Sequence, residues 1–117
     1  MTREIPVDRK PRYPVSLAAD LRGPGFATAG TTKNISVGGL CVEIDRMVPE
    51  TTRLEVSLFV VEDEVESADG RRISLAATVQ WSSEGDVGYL HGLKFVDMTP
   101  AQTTAIGNAL RNLGLDG

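Results

Sequence analysis

The sequence has little of the residue types from which disulfides, metal centres and catalytic groups are usually built. It contains one cysteine, Cys41, and one histidine, His91, among 117 residues. A single cysteine excludes a disulfide within the chain and a zinc site with several thiolates. Because Cys41 lies inside a run of alternating apolar residues, we expect a buried or half-buried thiol rather than a reactive one.

Long apolar runs are also missing from the sequence. No segment approaches the roughly 20 apolar residues that a membrane-spanning helix requires. The first residues are polar and basic, with no apolar stretch behind them, which argues against a signal peptide. We therefore expect no membrane insertion and a cytoplasmic location.

The charge of the chain is acidic overall but unevenly distributed. A net charge of −4 disfavours binding to nucleic acid polymers and to anionic membranes, which attract positively charged proteins. Residues 1–12 nevertheless have a charge of +2, from Arg3, Arg9, Lys10 and Arg12 against Glu4 and Asp8. A short basic arm on an acidic body is suited to holding a small anion.

The usual catalytic constellations have no counterpart in the sequence. His91 shares an alternation face with Leu93 and Phe95, which predicts a packing residue rather than a general base. The positions of Cys41, His91 and the serines suggest no nucleophile with its base. The acidic run at 62–66 falls in a predicted loop, and no phosphate-binding loop motif is present. We therefore expect a protein that is not an enzyme and that holds no metal or cofactor.

Alternation of apolar and polar residues predicts six strands, each with one buried face. The first covers residues 14–22 and is followed by a turn at Gly23-Pro24-Gly25 and a second strand over 26–32. The other four are marked by inward-facing residues at alternate positions: Leu40, Val42 and Ile44; Leu54, Val56, Leu58 and Val60; Ile73, Leu75, Ala77, Val79 and Trp81; and Tyr89, His91, Leu93 and Phe95. Residues 62–70 are predicted as a hairpin loop.

After the last strand the period of the pattern changes to that of a helix. Thr99, Pro100 and Gln102 supply a capping residue, a proline at the first helical position and a capping-box partner. An apolar stripe follows at helical spacing: Ile106, Leu110 and Leu113.

Six strands and one helix predict a mainly all-β fold, a six-stranded antiparallel β-barrel with a C-terminal α-helix. Closure into a barrel removes exposed strand edges, which favours it for short strands. We expect a flexible basic arm over residues 1–13, the barrel and helix over 14–113, and a tail over 114–117.

Two segments outside the apolar pattern carry polar residues of interest. One is the basic cluster Asp8-Arg9-Lys10-Pro11-Arg12-Tyr13, and the other is Asn34-Ile35-Ser36-Val37-Gly38-Gly39. The second resembles the D/N-x-S-x-x-G motif of PilZ domains. The segments 79–81 and 89–95 resemble the last hairpin of that family, and the terminal helix falls where PilZ domains have one.

This resemblance implies a receptor that binds the second messenger cyclic di-GMP through the arm and the motif. The implied ligand-binding residues are Arg9, Lys10, Arg12, Asn34, Ser36, Gly38 and Gly39. Arginine can pair bidentately with a phosphate or a guanine edge, and lysine supplies charge. Asn34 and Ser36 are two residues apart, so an extended backbone would place both on one face. Gly38 and Gly39 would let the backbone bend and approach the ligand closely.

The arm departs from the R-x-x-x-R pattern of the family, because Asp8 stands four residues before Arg12. Two hypotheses therefore stay open: a receptor in which Arg9 and Lys10 substitute, or a degenerate domain that binds no nucleotide and acts as a protein–protein interaction adaptor. In either case the output passes to an unidentified effector protein, and the resemblance associates such proteins with motility, type IV pili and biofilm control. Ligand stoichiometry and oligomeric state stay open.

Overall fold

A computed structural model describes residues 13–60 and 71–112 of the chain. These ranges contain seven strands and one helix: β1 Tyr13–Pro14, β2 Ala18–Gly23, β3 Phe26–Ile35, β4 Gly39–Ile44, β5 Arg53–Val60, β6 Arg71–Glu84, β7 Tyr89–Val96 and α1 Pro100–Asn112. Most of the predicted arm, the acidic loop, Leu113 and the tail lie outside the described residues. The division into arm, barrel and tail therefore stays a prediction.

The strands form a closed antiparallel barrel, as the sequence predicts. Strands follow one another in the order β3-β2-β5-β6-β7-β4, and β4 returns to pair with β3. Six strands thus complete the ring, and β1 adds a short pairing at the end of β3. Inside the ring lies one continuous apolar core, to which every barrel strand contributes.

The predicted strand over residues 14–22 is divided into β1 and β2, and the cause is Thr32 on β3. Its hydroxyl accepts a hydrogen bond from the backbone NH of Leu17 at 2.8 Å and donates one to the carbonyl of Val15 at 2.6 Å. The backbone NH of Thr32 also donates to the carbonyl of Leu17 at 2.9 Å. Residues 15–17 are therefore held by the side chain and backbone of this one threonine instead of by a continuous strand ladder. The predicted turn is confirmed: Pro24 and Gly25 join β2 to β3, and Gly25 has a φ of 82°.

Two β-bulges interrupt the barrel, one in β3 between Thr32 and Asn34 and one in β6 between Val79 and Trp81. The second overturns the prediction that Trp81 faces the core with Val79. One extra residue, Gln80, shifts the inside–outside alternation by one position. As a result Trp81 is 43% exposed while Val79 is buried.

Helix α1 begins with the predicted capping box and packs against the barrel. The backbone NH of Thr99 donates to Oε1 of Gln102 at 2.9 Å, and the NH of Gln102 donates to the Thr99 hydroxyl at 3.1 Å. The amide nitrogen of Gln102 also donates to the carbonyl of Ser74 on β6 at 2.9 Å. Ile106 and Leu110 are buried in the core as predicted. Among the described residues, no helix has the length and apolar character needed to cross a membrane.

Candidate ligand-binding site

Strand β1 places the start of the barrel next to the N-x-S-x-x-G motif. Tyr13 is paired with Ile35, and Pro14 is paired with Asn34. The arm residues Asp8, Arg9, Lys10 and Arg12 lie outside the described ranges. The described part of the chain therefore fixes where the arm joins the barrel: beside the first residue of the motif.

Asn34 belongs to a line of paired residues that crosses the outside of four strands, which we call the outer row: Asn34 on β3, Cys41 on β4, Gly92 on β7 and Trp81 on β6. The next line of pairs along these strands is Ile35, Leu40, Leu93 and Val79, all of which are buried in the core. Because side chains alternate between the two faces of a sheet, the outer row faces away from the barrel interior. Cys41 is a buried thiol within it, as predicted.

Both bulges lie at the ends of the outer row, one at Asn34 and the other at Trp81. Bulges redirect side chains and are frequent beside functional sites. A Cβ atom on Gly92 would lie 2.1 Å from Nε1 of Trp81, so the indole lies directly over this glycine. Sequence reasoning missed Trp81 as a candidate. The available signal was Gly92, because a glycine inside a strand often marks a close approach by another group.

Ser36 shapes the loop between β3 and β4, which we call the motif loop, Ser36–Gly38. Its hydroxyl oxygen accepts hydrogen bonds from the NH groups of Gly38 at 3.0 Å and Gly39 at 3.2 Å. The side chain is 2% exposed. Since β3 ends at Ile35, Asn34 and Ser36 do not lie together on an extended strand. The hydroxyl of Ser36 thus orients the loop that follows Asn34.

The two glycines of the motif are held against β7. The carbonyl of Gly38 accepts a hydrogen bond from the NH of Phe95 at 2.9 Å. A Cβ on Gly39 would lie 2.1 Å from the carbonyl oxygen of Leu93. Gly39 is therefore required by the close approach of a neighbouring backbone, a reason that the sequence alone did not provide.

A groove of about 510 Å³ lies beside the outer row and is mixed in charge. Its lining comes from β3, β4, the end of β6, the β6–β7 turn and β7: Lys33, Asn34, Cys41, Glu43, Glu84, Gly85, Asp86 and Leu90. Nζ of Lys33 lies 3.2 Å from Oε1 of Glu43. Hydrogen bonds from the backbone NH groups of Val87 and Gly88, followed by Lys33, hold the pKa of the Glu43 carboxyl below its usual value.

His91 is fully buried and hydrogen-bonded, as its place in the alternation predicts. Its Nε2 accepts a hydrogen bond from the backbone NH of Val48 at 2.9 Å. Over residues 13–60 and 71–112, no three His, Cys, Asp or Glu side chains are grouped closely enough to hold a metal ion.

Comparison with known proteins gives a consistent family relationship. The sequence model described as "PilZ domain" matches residues 7–112, a range that includes the second half of the predicted arm, the barrel and the helix. Comparison with curated proteins finds no significant match.

Solved structures share the fold at low sequence identity. The PilZ domain of CeSA from a cellulose-synthesizing bacterium is 16% identical with a TM-score of 0.63, over 89% of this chain and 96% of that one. The Bacillus subtilis inhibitor of motility, MotI/DgrA, is 16% identical with a TM-score of 0.73, over 97% of this chain and 52% of that one. The PilZ domain of Escherichia coli YcgR, solved with c-di-GMP, is 13% identical with a TM-score of 0.63, over 90% of this chain and 86% of that one.

Proposed function

The chain belongs to the PilZ domain family, and on that premise we propose that it binds cyclic di-GMP at the outer row and the motif loop. Two structural neighbours are described with this ligand, YcgR from Escherichia coli and PlzA from Borreliella burgdorferi. In this proposal the domain is a binding module rather than an enzyme.

The observation that carries the proposal is the pairing of Pro14 with Asn34. Arg12 precedes Pro14 by two residues. Because consecutive Cα atoms are about 3.8 Å apart, the Cα of Arg12 lies within about 7.6 Å of the Cα of Pro14. This short tether gives the guanidinium groups of the arm a high local concentration near Asn34.

The chemistry of the site suits a ligand with two guanines and two phosphates. Arg9 and Arg12 offer planar donors for a phosphate or for the O6/N7 edge of guanine, and Lys10 adds charge. In this proposal the amide of Asn34 hydrogen-bonds a base edge. Trp81 adds an exposed aromatic face at the other end of the outer row, on which a base can stack. In this scheme Ser36, Gly38 and Gly39 hold the loop in place.

A second candidate function is that of a nucleotide-free interaction adaptor, which the acidic residues around the groove favour. Glu43, Glu84 and Asp86 line the groove beside Asn34, and Asp8 occupies the place of an arginine in the arm. Each carboxylate repels a phosphate. The two functions make opposite predictions for a nucleotide titration.

Isothermal titration calorimetry of the full chain with cyclic di-GMP tests the proposal. Because Trp81 is the only tryptophan, its fluorescence reports on the outer row during the same titration. We expect a saturable heat and a change in Trp81 emission with the same midpoint. The absence of both at tens of micromolar protein would exclude the receptor and leave the adaptor.

Variants of the arm test how the ligand is held. Arg12→Ala should abolish the heat, whereas Arg111→Ala, the same change of charge on α1, should leave it intact. Asp8→Arg restores the family's arginine spacing and should tighten binding by about tenfold, the effect of one charge-assisted contact. An unchanged affinity in this variant would show that Asp8 does not occupy the first arm position.

We also propose how ligand binding is passed on to another protein. Binding draws the arm across the outer row, and the altered surface is recognised by a separate effector protein. In this proposal such effectors act in motility, type IV pili or biofilm control, the processes with which the family resemblance associates PilZ proteins.

A further inference from the structure

Glu43 lies on β4 two residues beyond Cys41 and connects two parts of the molecule. One carboxylate oxygen, Oε1, is 3.2 Å from Nζ of Lys33, the residue before Asn34. The other, Oε2, accepts hydrogen bonds from the backbone NH groups of Val87 and Gly88, both at 3.0 Å. The side chain of Glu43 is only 9% exposed, whereas that of Lys33 is 48% exposed. Lys33 is thus the solvent-accessible member of the pair.

The turn between β6 and β7 is built onto the Glu43 side chain. A Cβ on Gly85 would lie 2.4 Å from Oε2 of Glu43, and one on Gly88 would lie 2.3 Å from the carbonyl oxygen of Ile44. The NH of Gly85 also donates to the carbonyl of Gly88 at 2.8 Å. The turn therefore cannot shift without changing its bonds to Glu43.

We propose that Glu43 is a positioning residue that restrains Lys33 when the site is empty and transmits ligand binding from the outer row to the Gly85–Gly88 turn. The proposal rests on the proposed function and adds a regulatory element to it. A phosphate bound beside Asn34 attracts the Lys33 ammonium away from Glu43, because the phosphate is an anion and Lys33 is long and half-exposed. The carboxylate then keeps only its two backbone partners.

Restraint of Lys33 by Glu43 lowers the affinity for the ligand, since the Lys33–Glu43 ion pair must be broken before Lys33 meets a phosphate. The coupling free energy is reciprocal. If ligand binding favours one conformation of the turn, then fixing the turn in that conformation strengthens ligand binding by the same free energy. Val87 is 85% exposed at the tip of the turn and is its most prominent apolar side chain, so a change in the bonds between Glu43 and the turn would act on this residue.

The first test is a double-mutant cycle read by cyclic di-GMP affinity. Glu43→Gln keeps an oxygen for the turn NH groups and releases Lys33, so it should tighten binding by roughly two- to fivefold, the usual range for a partly exposed ion pair. Lys33→Met should weaken binding by a similar factor. In the Lys33→Met background, Glu43→Gln should gain clearly less than it gains alone.

Glu84→Gln is the matched control, because it removes the same charge from the same groove. Among the described residues Glu84 makes no ion pair with Lys33. If Glu84→Gln tightened binding as much as Glu43→Gln, and if both gains persisted without Lys33, the effect would be general electrostatics and the proposal would be overturned.

The second test needs no ligand and separates this proposal from the proposed function. In Lys33→Met the NMR signals of the Val87 and Gly88 amides should shift, and the pKa of Glu43 should rise because a cation that lowers it is gone. Adding cyclic di-GMP to the unmodified protein should move the same two amides in the same direction. Unmoved amides in Lys33→Met would overturn the link even where binding is normal. If no heat of binding is seen but these amides move in the variant, the receptor function fails and the link from Lys33 to the turn stands.

Discussion

The backbone NH of Val48 donates a hydrogen bond to Nε2 of His91 at 2.9 Å, across 43 residues of sequence. Because Nε2 is the acceptor, the ring proton is on Nδ1, which lies 3.2 Å from the carbonyl oxygen of Tyr89. Val48 and His91 are both buried. The bond fixes the segment between β4 and β5 to the barrel, and it requires a neutral imidazole.

This geometry predicts that the protein loses stability in mild acid. Burial lowers the pKa of His91 below its usual value of 6.5. Above that pH the imidazole is neutral in both states. Below pH 6.5 the imidazole is protonated in the unfolded chain but stays neutral in the native state. The free energy of unfolding should therefore fall by at most about 1.4 kcal/mol per pH unit. The fall ends where the pH reaches the lowered native pKa. Urea denaturation between about pH 8 and pH 5 measures this slope.

The control for this slope is His91→Gln, whose side-chain oxygen can still accept the hydrogen bond from Val48 but does not titrate. His91 is the only histidine, so the variant should lose most of the pH dependence between about pH 6.5 and pH 5.5. An equal slope in both proteins would assign the effect to carboxylates instead.

The inward position of His91 followed from its alternation with Leu93, and the same reasoning gave the barrel strands. The helix cap followed from the spacing of Thr99 and Gln102. The partner of His91 did not follow from the sequence, because no local pattern indicates which of many distant NH groups meets a buried ring nitrogen. The bulge at Gln80 was equally invisible. It leaves the residue types of β6 unchanged and shifts only the register, and for that reason the predicted face of Trp81 was wrong.

The sequence segment that forms part of the candidate site was predictable, but the spatial arrangement of the site's residues was not. The motif residues from Asn34 to Gly39 stand out in the sequence by their polarity and glycines. That Asn34 aligns with Gly92 and Trp81 depends on strand pairing across the barrel, which local periodicity does not determine. The roles of Ser36 and Gly39 in holding the loop likewise depend on contacts that only the folded chain provides.

Substitutions in the motif should separate residues that contact the ligand from residues that shape the loop. Ser36→Ala removes the acceptor for the buried NH of Gly39 and the partly buried NH of Gly38. This loss should cost about 1–3 kcal/mol of stability and weaken cyclic di-GMP binding as well. Asn34→Ala should weaken binding with a smaller loss of stability, because Asn34 is only half-buried. Thermal unfolding and calorimetry on both variants give the comparison. Equal losses of stability would contradict the division of roles.

Thr51 is expected to be a site of stored strain. It has a φ of 70°, which a β-branched residue rarely adopts. Such backbone strain costs about 1–3 kcal/mol, and glycine relieves it at an entropic cost of up to about 1 kcal/mol. Thr51→Gly should therefore raise the midpoint of urea unfolding, while its neighbour Thr52→Gly should lower it. A lower midpoint in Thr51→Gly would show that the threonine side chain contributes more than the strain costs.

A methyl group added at Gly39 or at Gly92 would approach a neighbouring atom equally closely, yet alanine should destabilise the protein very differently at the two positions. A Cβ at either position meets an atom at 2.1 Å, which is a backbone carbonyl oxygen of β7 for Gly39 and the Trp81 indole nitrogen for Gly92. The carbonyl is fixed in the barrel, so Gly39→Ala should lose more than about 2 kcal/mol through strained pairing of β4 with β7. The indole is at the surface and can swing aside, so Gly92→Ala should lose less than about 1 kcal/mol while the Trp81 emission shifts. Urea unfolding and fluorescence on the two variants measure both effects. If Gly92→Ala were as destabilising as Gly39→Ala, the indole would be held rigidly over the strand, and the stacking surface proposed for the ligand would already be fixed in the free protein.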